Sequence, residues 1–258
     1  MPGPDDVVRV EISDAIAIMV IARPEVRNAV DHRVAAGIER ALDTIEADER
    51  IRVGIITGDG PFFCSGADLR MISDGTDTAM TDRGGFAGLV ERTRNTPLIA
   101  AVEGGALAGG LEIVLACDLV VAGVSARFGI PEVARGLVAG GGGLVRLPHR
   151  IPRNVAMEMA LIGRPIDATR GYELGLVNLV VDDGGALEAA RRMALDVAAN
   201  PAVSVRESRA VVAGSADDGE SAGWTLNDRA MTAVQATADF VEGPRAFLDK
   251  RTPHWNGD

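Results

Sequence analysis

Two carboxylates stand beside glycine-rich sequence, and their spacing suggests chemistry. Glu112 lies in AVEGGALAGGLEIVLACD (residues 101–118), where Gly104, Gly105, Gly109 and Gly110 precede an apolar run that it alone interrupts before Asp118. Glycine allows a backbone to approach a ligand closely. The first N–H groups of a helix starting here lack partners and carry the positive end of its dipole. Such an end can hold a negatively charged oxygen. Glu112 follows Gly109 by three residues, so the carboxylate shares a helix face with that N–H. A plainer role, complementing the first-turn dipole, is equally open to it. Glu132 follows Pro131, with AGGGG (residues 139–143) close behind. A Pro-Glu pair is also an ordinary helix start. A second glycine turn, Gly66-Ala67-Asp68, follows a strand-like run and presents its own backbone N–H groups.

Other chemistries are set aside. No GxGxxG occurs among the 31 glycines, and Lys250, the only lysine, follows no glycine run, so neither nucleotide-binding loop is present. His32, His149 and His254 are scattered without ligand spacing. Ser65 sits in CSGAD rather than in a GxSxG elbow. Cys64 reads as a buried structural thiol before it reads as a nucleophile. With Cys117 it makes two cysteines in all, which suits a reducing cytosol, and a cytoplasmic location is expected. The net charge of −11 argues against nucleic acid and anionic membranes as partners, while leaving room for a small anionic ligand held by a few arginines. No apolar run is long enough to span a membrane, and MPGPDDVVRVEIS does not resemble a signal peptide.

The elements that must position these groups alternate strand and helix, then turn wholly helical. Val8, Val10 and Ile12 alternate with charged neighbours, and residues 15–21 form a second strand after the Ser13-Asp14 turn. Asn28 or Asp31 can cap a helix reaching about residue 48. Arg23 and Arg27 either serve loop solubility or face an anionic ligand. Strands follow at 51–57, around 98–102, at 119–122 and at 127–129; helices are expected at 69–73, 86–95, from 111, and at 154–162, 168–174 and 186–199. Residues 73–85 are small and polar and read as a mobile loop. From residue 201 the chain reads as helical, with Trp224, Met231, Val234, Ala238 and Val241 forming one apolar stripe. The pattern gives an α/β core over residues 1–200 and a helical module over 201–258.

The strings ARPEVRNAVD, IITGDGPFFCSGADL, IAAVEGGALAGGLEIVLACDLVVA, ARFGIPEVARGL and FVEGPRAFLDKR, in this order, resemble the enoyl-CoA hydratase/isomerase, or crotonase, family. The resemblance implies a spiral of ββα repeats with a C-terminal helical module for trimerisation, commonly as a dimer of trimers. It implies acyl thioesters of coenzyme A as substrates and no metal or redox cofactor. On this likeness Ala67 and Gly109 supply two N–H donors to the thioester oxygen, Glu112 and Glu132 are the acid–base pair, and Gly140 helps hold the reacting water. Arg27, Ala67, Asp68, Leu69, Phe247 and Lys250 match substrate-binding positions, the last two often reaching the coenzyme A of a neighbouring subunit. Ala108 stands where the family usually has glycine, Ala139 where it has proline, and Leu144-Val145 where it has Thr-Gln.

Three readings follow. The first is hydration of a 2-enoyl-CoA, with Glu112 taking a proton from water and Glu132 giving one to C2. The second is an enoyl-CoA isomerase or another crotonase-type reaction, for which the acid matching Glu132 suffices. The third is a silent acyl-CoA-binding relative, which both retained carboxylates disfavour.

Overall fold

The chain's apolar runs are built for burial on two faces. In the computed structural model, which describes residues 7–74 and 79–256, Ile16, Ile18 and Val20 pack to one side of a sheet while Ala17, Met19 and Ile21 pack to the other. This period of two is what a central strand imposes.

In chain order the elements are β1 (Val8–Ser13), β2 (Ile16–Ile21), α1 (His32–Ala47), β3 (Val53–Gly58), α2 (Leu69–Asp74), β4 (Met80–Thr81), β5 (Gly85–Phe86), β6 (Leu98–Val102), β7 (Gly105–Leu107) and α3 (Gly109–Ala116). They continue as β8 (Leu119–Gly123), β9 (Arg127–Gly129), α4 (Gly143–Arg150), α5 (Arg153–Ile162), β10 (Ile166–Asp167), α6 (Ala168–Glu173), β11 (Leu179–Val181) and α7 (Ala186–Ala198), then α8 (Ala202–Asp218), α9 (Glu220–Gln235) and α10 (Asp239–Asp249). Short 3₁₀ turns occupy Pro24–Val26 and Pro131–Arg135.

The large sheet runs β1-β2-β3-β6-β8-β11, parallel except where the β1–β2 hairpin closes one edge. A second sheet runs β10-β9-β7. Twice a strand of the large sheet leads into a short strand of the second: β6 into β7, then β8 into β9. Each pair then turns into helical structure, α3 after β7 and the Pro131 turn after β9. An isolated bridge from Cys64 to Ala106 adds the segment after β3 to the same ladder. This is the ββα spiral of the crotonase fold. Carboxyl ends of successive repeats are thereby brought to one side.

Small residues set the layer spacing. Ala186, Ala189, Ala190 and Ala194 of α7 lie flat on the Ile16/Ile55/Ile99 face. The apolar stripe of α1 (Val34, Ile38, Leu42, Ile45) covers the other face, with α3 beside it. The Asp31 side chain caps α1 by accepting from the Val34 N–H at 3.0 Å.

The C-terminal helices are tied to the core by charge. Arg94, whose side chain is buried, donates to Asp118 at 2.6 Å, and Arg209 of α8 donates to the same carboxylate at 3.0 Å. Arg209 also bonds the Arg94 carbonyl at 2.7 Å.

Several expectations are corrected. No helix forms over residues 86–95, where β5 gives way to successive turns with positive φ at Gly85, Ala87 and Gly88. An added Cβ at Gly88 would meet the Ala35 carbonyl, so this segment is packed too tightly on α1 for a helix. α3 starts at Gly109, earlier than the apolar run suggests, and α4 is an element the sequence reading did not include. Residues 73–85 are not one loop: α2 extends to Asp74, β4 and β5 form a hairpin, and residues 75–78 lie outside the described residues. The stripe from Trp224 to Val241 spans the break between α9 and α10, and Trp224, Met231, Ala238 and Val241 are exposed. Arg23 is neither loop solubility nor a ligand group. It is buried and bridges Asp31 and Asp68, each at 3.3 Å.

Candidate active site

One cleft of about 660 Å³ gathers most of the residues singled out from the sequence. Arg27, Ala67, Asp68, Leu69, Gly109, Glu112, Glu132 and Gly140 all line it. Phe247 and Lys250 do not. They sit at the end of α10, Phe247 84% exposed and Lys250 in the left-handed conformation that closes the helix. Within one chain they stand outside the cleft that holds the carboxylates.

The two glycine turns face each other across this cleft. A Cβ added to Gly66 would lie 2.8 Å from the Gly109 nitrogen, so the Ala67 turn and the start of α3 are in direct contact. Among the described residues, neither the Ala67 nor the Gly109 N–H donates to another group of the chain. Their neighbours are engaged: Asp68 N–H bonds the Val30 carbonyl at 2.9 Å, and Ala108 N–H bonds the Gly129 carbonyl at 2.8 Å. Two unengaged backbone donors side by side make a site for a developing oxyanion.

Ala108 holds this turn in an unusual conformation. Its φ of 53° and ψ of −126° lie where a side chain is strained and glycine is not. The chain keeps that geometry with alanine because contacts on both sides determine it.

The carboxylates have different surroundings. Glu112, in the first turn of α3, is 3% exposed. Its Oε1 accepts from the Gly143 N–H at 2.9 Å, and the Gly141 N–H bonds the same carboxylate. Gly143 begins α4, so a second helix N-terminus points at this side chain. Burial raises the Glu112 pKa, while these two N–H groups and the Arg146 charge oppose the rise. Glu132, in the Pro131–Arg135 turn, has less support. Burial raises its pKa to about 7; its own backbone N–H opposes this, the Glu112 charge adds to it, and the Arg135 charge opposes it. Its Oε2 is buried and bonded to nothing in the chain. Burial raises both carboxyls, and they differ in the number of backbone N–H groups that oppose the rise, two at Glu112 and one at Glu132.

Sequence reasoning missed the cradle of Glu112. The resemblance points to Gly140 of AGGGG for the reacting water, whereas the Glu112 carboxylate takes its bonds from Gly141 and Gly143; an added Cβ at Gly141 would fall 2.5 Å from Glu112 Oε2. The available signal was the glycine run as a helix start, masked by Pro148 within α4. Phe86 was also missed. Its ring would be 2.4 Å from a Cβ on Gly109, and its Cβ 3.1 Å from one on Gly141. It therefore wedges between the oxyanion turn and the Glu112 cradle. Its hairpin is moored to α1 by Thr81 on Glu39 at 2.7 Å and Arg83 on Asp43 at 2.8 Å. Of the remaining polar groups, Asp68 is committed to Arg23 and Arg70, and Arg27 lies over the Phe62 ring at 5.8 Å. Cys64 is fully buried with its thiol pushed up to about 12, a structural residue. Among the described residues no cluster of three His, Cys, Asp or Glu could hold a metal, and no helix is long and apolar enough to cross a membrane.

The fold and this pair of carboxylates beside two backbone donors define a crotonase-type acyl-CoA site. The chain belongs to the enoyl-CoA hydratase/isomerase family, whose model matches residues 11–258. It is similar to a mevalonyl-coenzyme A hydratase of Aspergillus fumigatus, 37% identical over 93% of this chain and 91% of that protein. It is 35% identical to a 2,3-dehydroadipyl-CoA hydratase of Escherichia coli, over 94% and 95% of the two chains. An enoyl-CoA hydratase structure from Mycobacterium tuberculosis superposes with a TM-score of 0.93 at 42% identity, covering 98% of this chain and all of that one.

Strain at Ala108 is directly measurable. Ala108→Gly should raise unfolding free energy by about 1 kcal/mol, relief of backbone strain outweighing the added freedom of the unfolded chain. Urea denaturation reads this, and a less stable variant would show that the Ala108 geometry carries no strain.

Proposed function

We propose that this protein adds water across the 2,3 double bond of a 2-enoyl-CoA, giving a 3-hydroxyacyl-CoA. The observation that carries the reading is the asymmetric pair: a backbone-cradled Glu112 and a Glu132 poised near neutrality, both on one cleft with two unengaged N–H donors. The hydratase names borne by several relatives support it.

The thioester oxygen takes hydrogen bonds from Ala67 and Gly109, drawing electrons out of the double bond. Glu112, ionised, removes a proton from water as the water oxygen bonds C3. The π pair moves into an enolate-like thioester, whose oxygen charge each donor can stabilise by about 2.7–4 kcal/mol. Glu132, protonated, delivers its proton to C2 and restores the carbonyl. Gly140, which lines the same cleft, would help hold the water. Coenzyme A itself is part of the substrate, and no other cofactor is called for in this scheme. Ala67, Asp68 and Leu69 form the wall along which the pantetheine would lie, and Arg27 is a candidate cation for the coenzyme's phosphates.

The C-terminal helices (201–258) serve assembly in this proposal. Val212, Trp224, Val241, Phe247 and Leu248 are all more than half exposed, an apolar surface that a second copy would cover. Phe247 and Lys250 would then reach a neighbour's coenzyme A. A trimeric or hexameric mass by light scattering is expected, and a monomeric mass would refute this part.

Glu112→Gln and Glu132→Gln should each lower hydration by at least about a hundredfold, with the double variant far less than multiplicatively worse. Rates are compared on a 2-enoyl-CoA and a 3-enoyl-CoA, with folding checked by circular dichroism. Near-full hydration in Glu112→Gln would overturn the mechanism. Loss of isomerisation confined to Glu132→Gln, with hydration absent throughout, would make the protein an isomerase.

A further inference from the structure

The wall that carries Glu132 also carries a cation. Arg135 lies three residues after Glu132 in the same 3₁₀ turn, and side chains three apart in such a turn eclipse one another. Both line the cleft, with Arg135 about 6 Å further along the turn axis. The thioester end of a substrate is fixed at Ala67 and Gly109 and its C2 at Glu132. An acyl tail leaving along this wall would meet the apolar Leu137, Val138, Met80 and Phe86, which line the same cleft.

Arg135 differs from the other arginines of the cleft. Arg27 stacks on Phe62, and Arg70 pairs with Asp68. Arg135 is exposed; it makes one hydrogen bond, from Nη1 to the Pro131 carbonyl at 3.2 Å, has no ion pair among the described residues, and its charge acts on Glu132 beside it. Its Nε and Nη2 are left for something else. An unpaired guanidinium is poorly matched to a methyl-ended tail and well matched to a carboxylate, which it can bind through two parallel N–H···O bonds. In a protein of net charge −11, such a local cation offsets the repulsion that an anionic tail meets.

Resting on the hydratase reading above, we infer that Arg135 is a specificity residue that selects 2-enoyl-CoA substrates whose acyl chain ends in a carboxylate. The guanidinium binds that distal carboxylate, while the reacting carbons stay between Glu112 and Glu132.

The test uses matched linear 2-enoyl-CoA esters, one ending in methyl and one in carboxylate, over several chain lengths. For the intact protein, kcat/KM should favour the carboxylate at one length by about tenfold or more. Arg135→Leu should remove that preference, chiefly through KM of the carboxylated ester, and Arg135→Lys should restore part of it. Binding of the corresponding saturated esters, read by calorimetry, should show the same change in ratio. That readout separates the two claims: if neither ester is hydrated but the binding ratio still depends on Arg135, the hydratase reading fails and the specificity inference stands. A methyl-ended ester preferred at every length, or a ratio unmoved in a folded Arg135→Leu, overturns the inference and leaves hydration untouched.

Discussion

Two carboxyl groups facing one cleft, Glu112 buried and Glu132 half-buried, cannot both carry charge cheaply, and the rest of the site is arranged around that constraint. Each is raised by burial, and the charge on Glu112 raises Glu132 further. The protein resolves the conflict with unequal backbone support. Glu112 receives N–H donors from Gly141 and Gly143 at the start of α4, with Arg146 behind them. Glu132 receives its own N–H and leaves one oxygen unbonded. In the proposed mechanism the better-supported Glu112 serves as the anion and Glu132 as the proton carrier. The difference between the two carboxyls comes from peptide N–H groups, with Arg146 acting on Glu112 and Arg135 on Glu132.

That arrangement demands close packing, which explains the glycines. At Gly141, Gly109 and Gly66 a single added carbon would fall within 3 Å of the Glu112 carboxylate, the Phe86 ring or the Gly109 nitrogen. Phe86 touches two of these positions and so couples the oxyanion turn to the Glu112 cradle. Its anchorage to α1, through Glu39 and Asp43, carries the stiffness of a long helix into the cleft wall. The strained Ala108 belongs to the same picture, a local cost met by contacts on either side.

Much of this was legible in the sequence where periodicity or capping was strong: the strand ending at Ile21, α1 with Asp31 as one of two candidate caps, and the helix α7. Glu112 beside Gly109 could be placed on one helix face by spacing alone. Its partner donors could not. Gly141 and Gly143 belong to a separate helix whose docking on α3 is a tertiary fact, and Pro148 disguised that helix. The absent helix at 86–95 failed for a related reason: residues with ordinary helical composition are held in positive-φ turns by contact with α1. Arg23 reads as a loop cation until the fold buries it between Asp31 and Asp68.

The proposed mechanism requires Glu132 to stay a neutral acid close to neutrality while Glu112 beside it is ionised. Infrared difference spectroscopy against pH observes this directly, through the carbonyl stretch of a protonated carboxyl. A band that persists to about pH 7, is lost above it and is missing in Glu132→Gln is the result expected. A protein in which every such band has vanished by about pH 5, the range of an ordinary glutamate, would contradict the account.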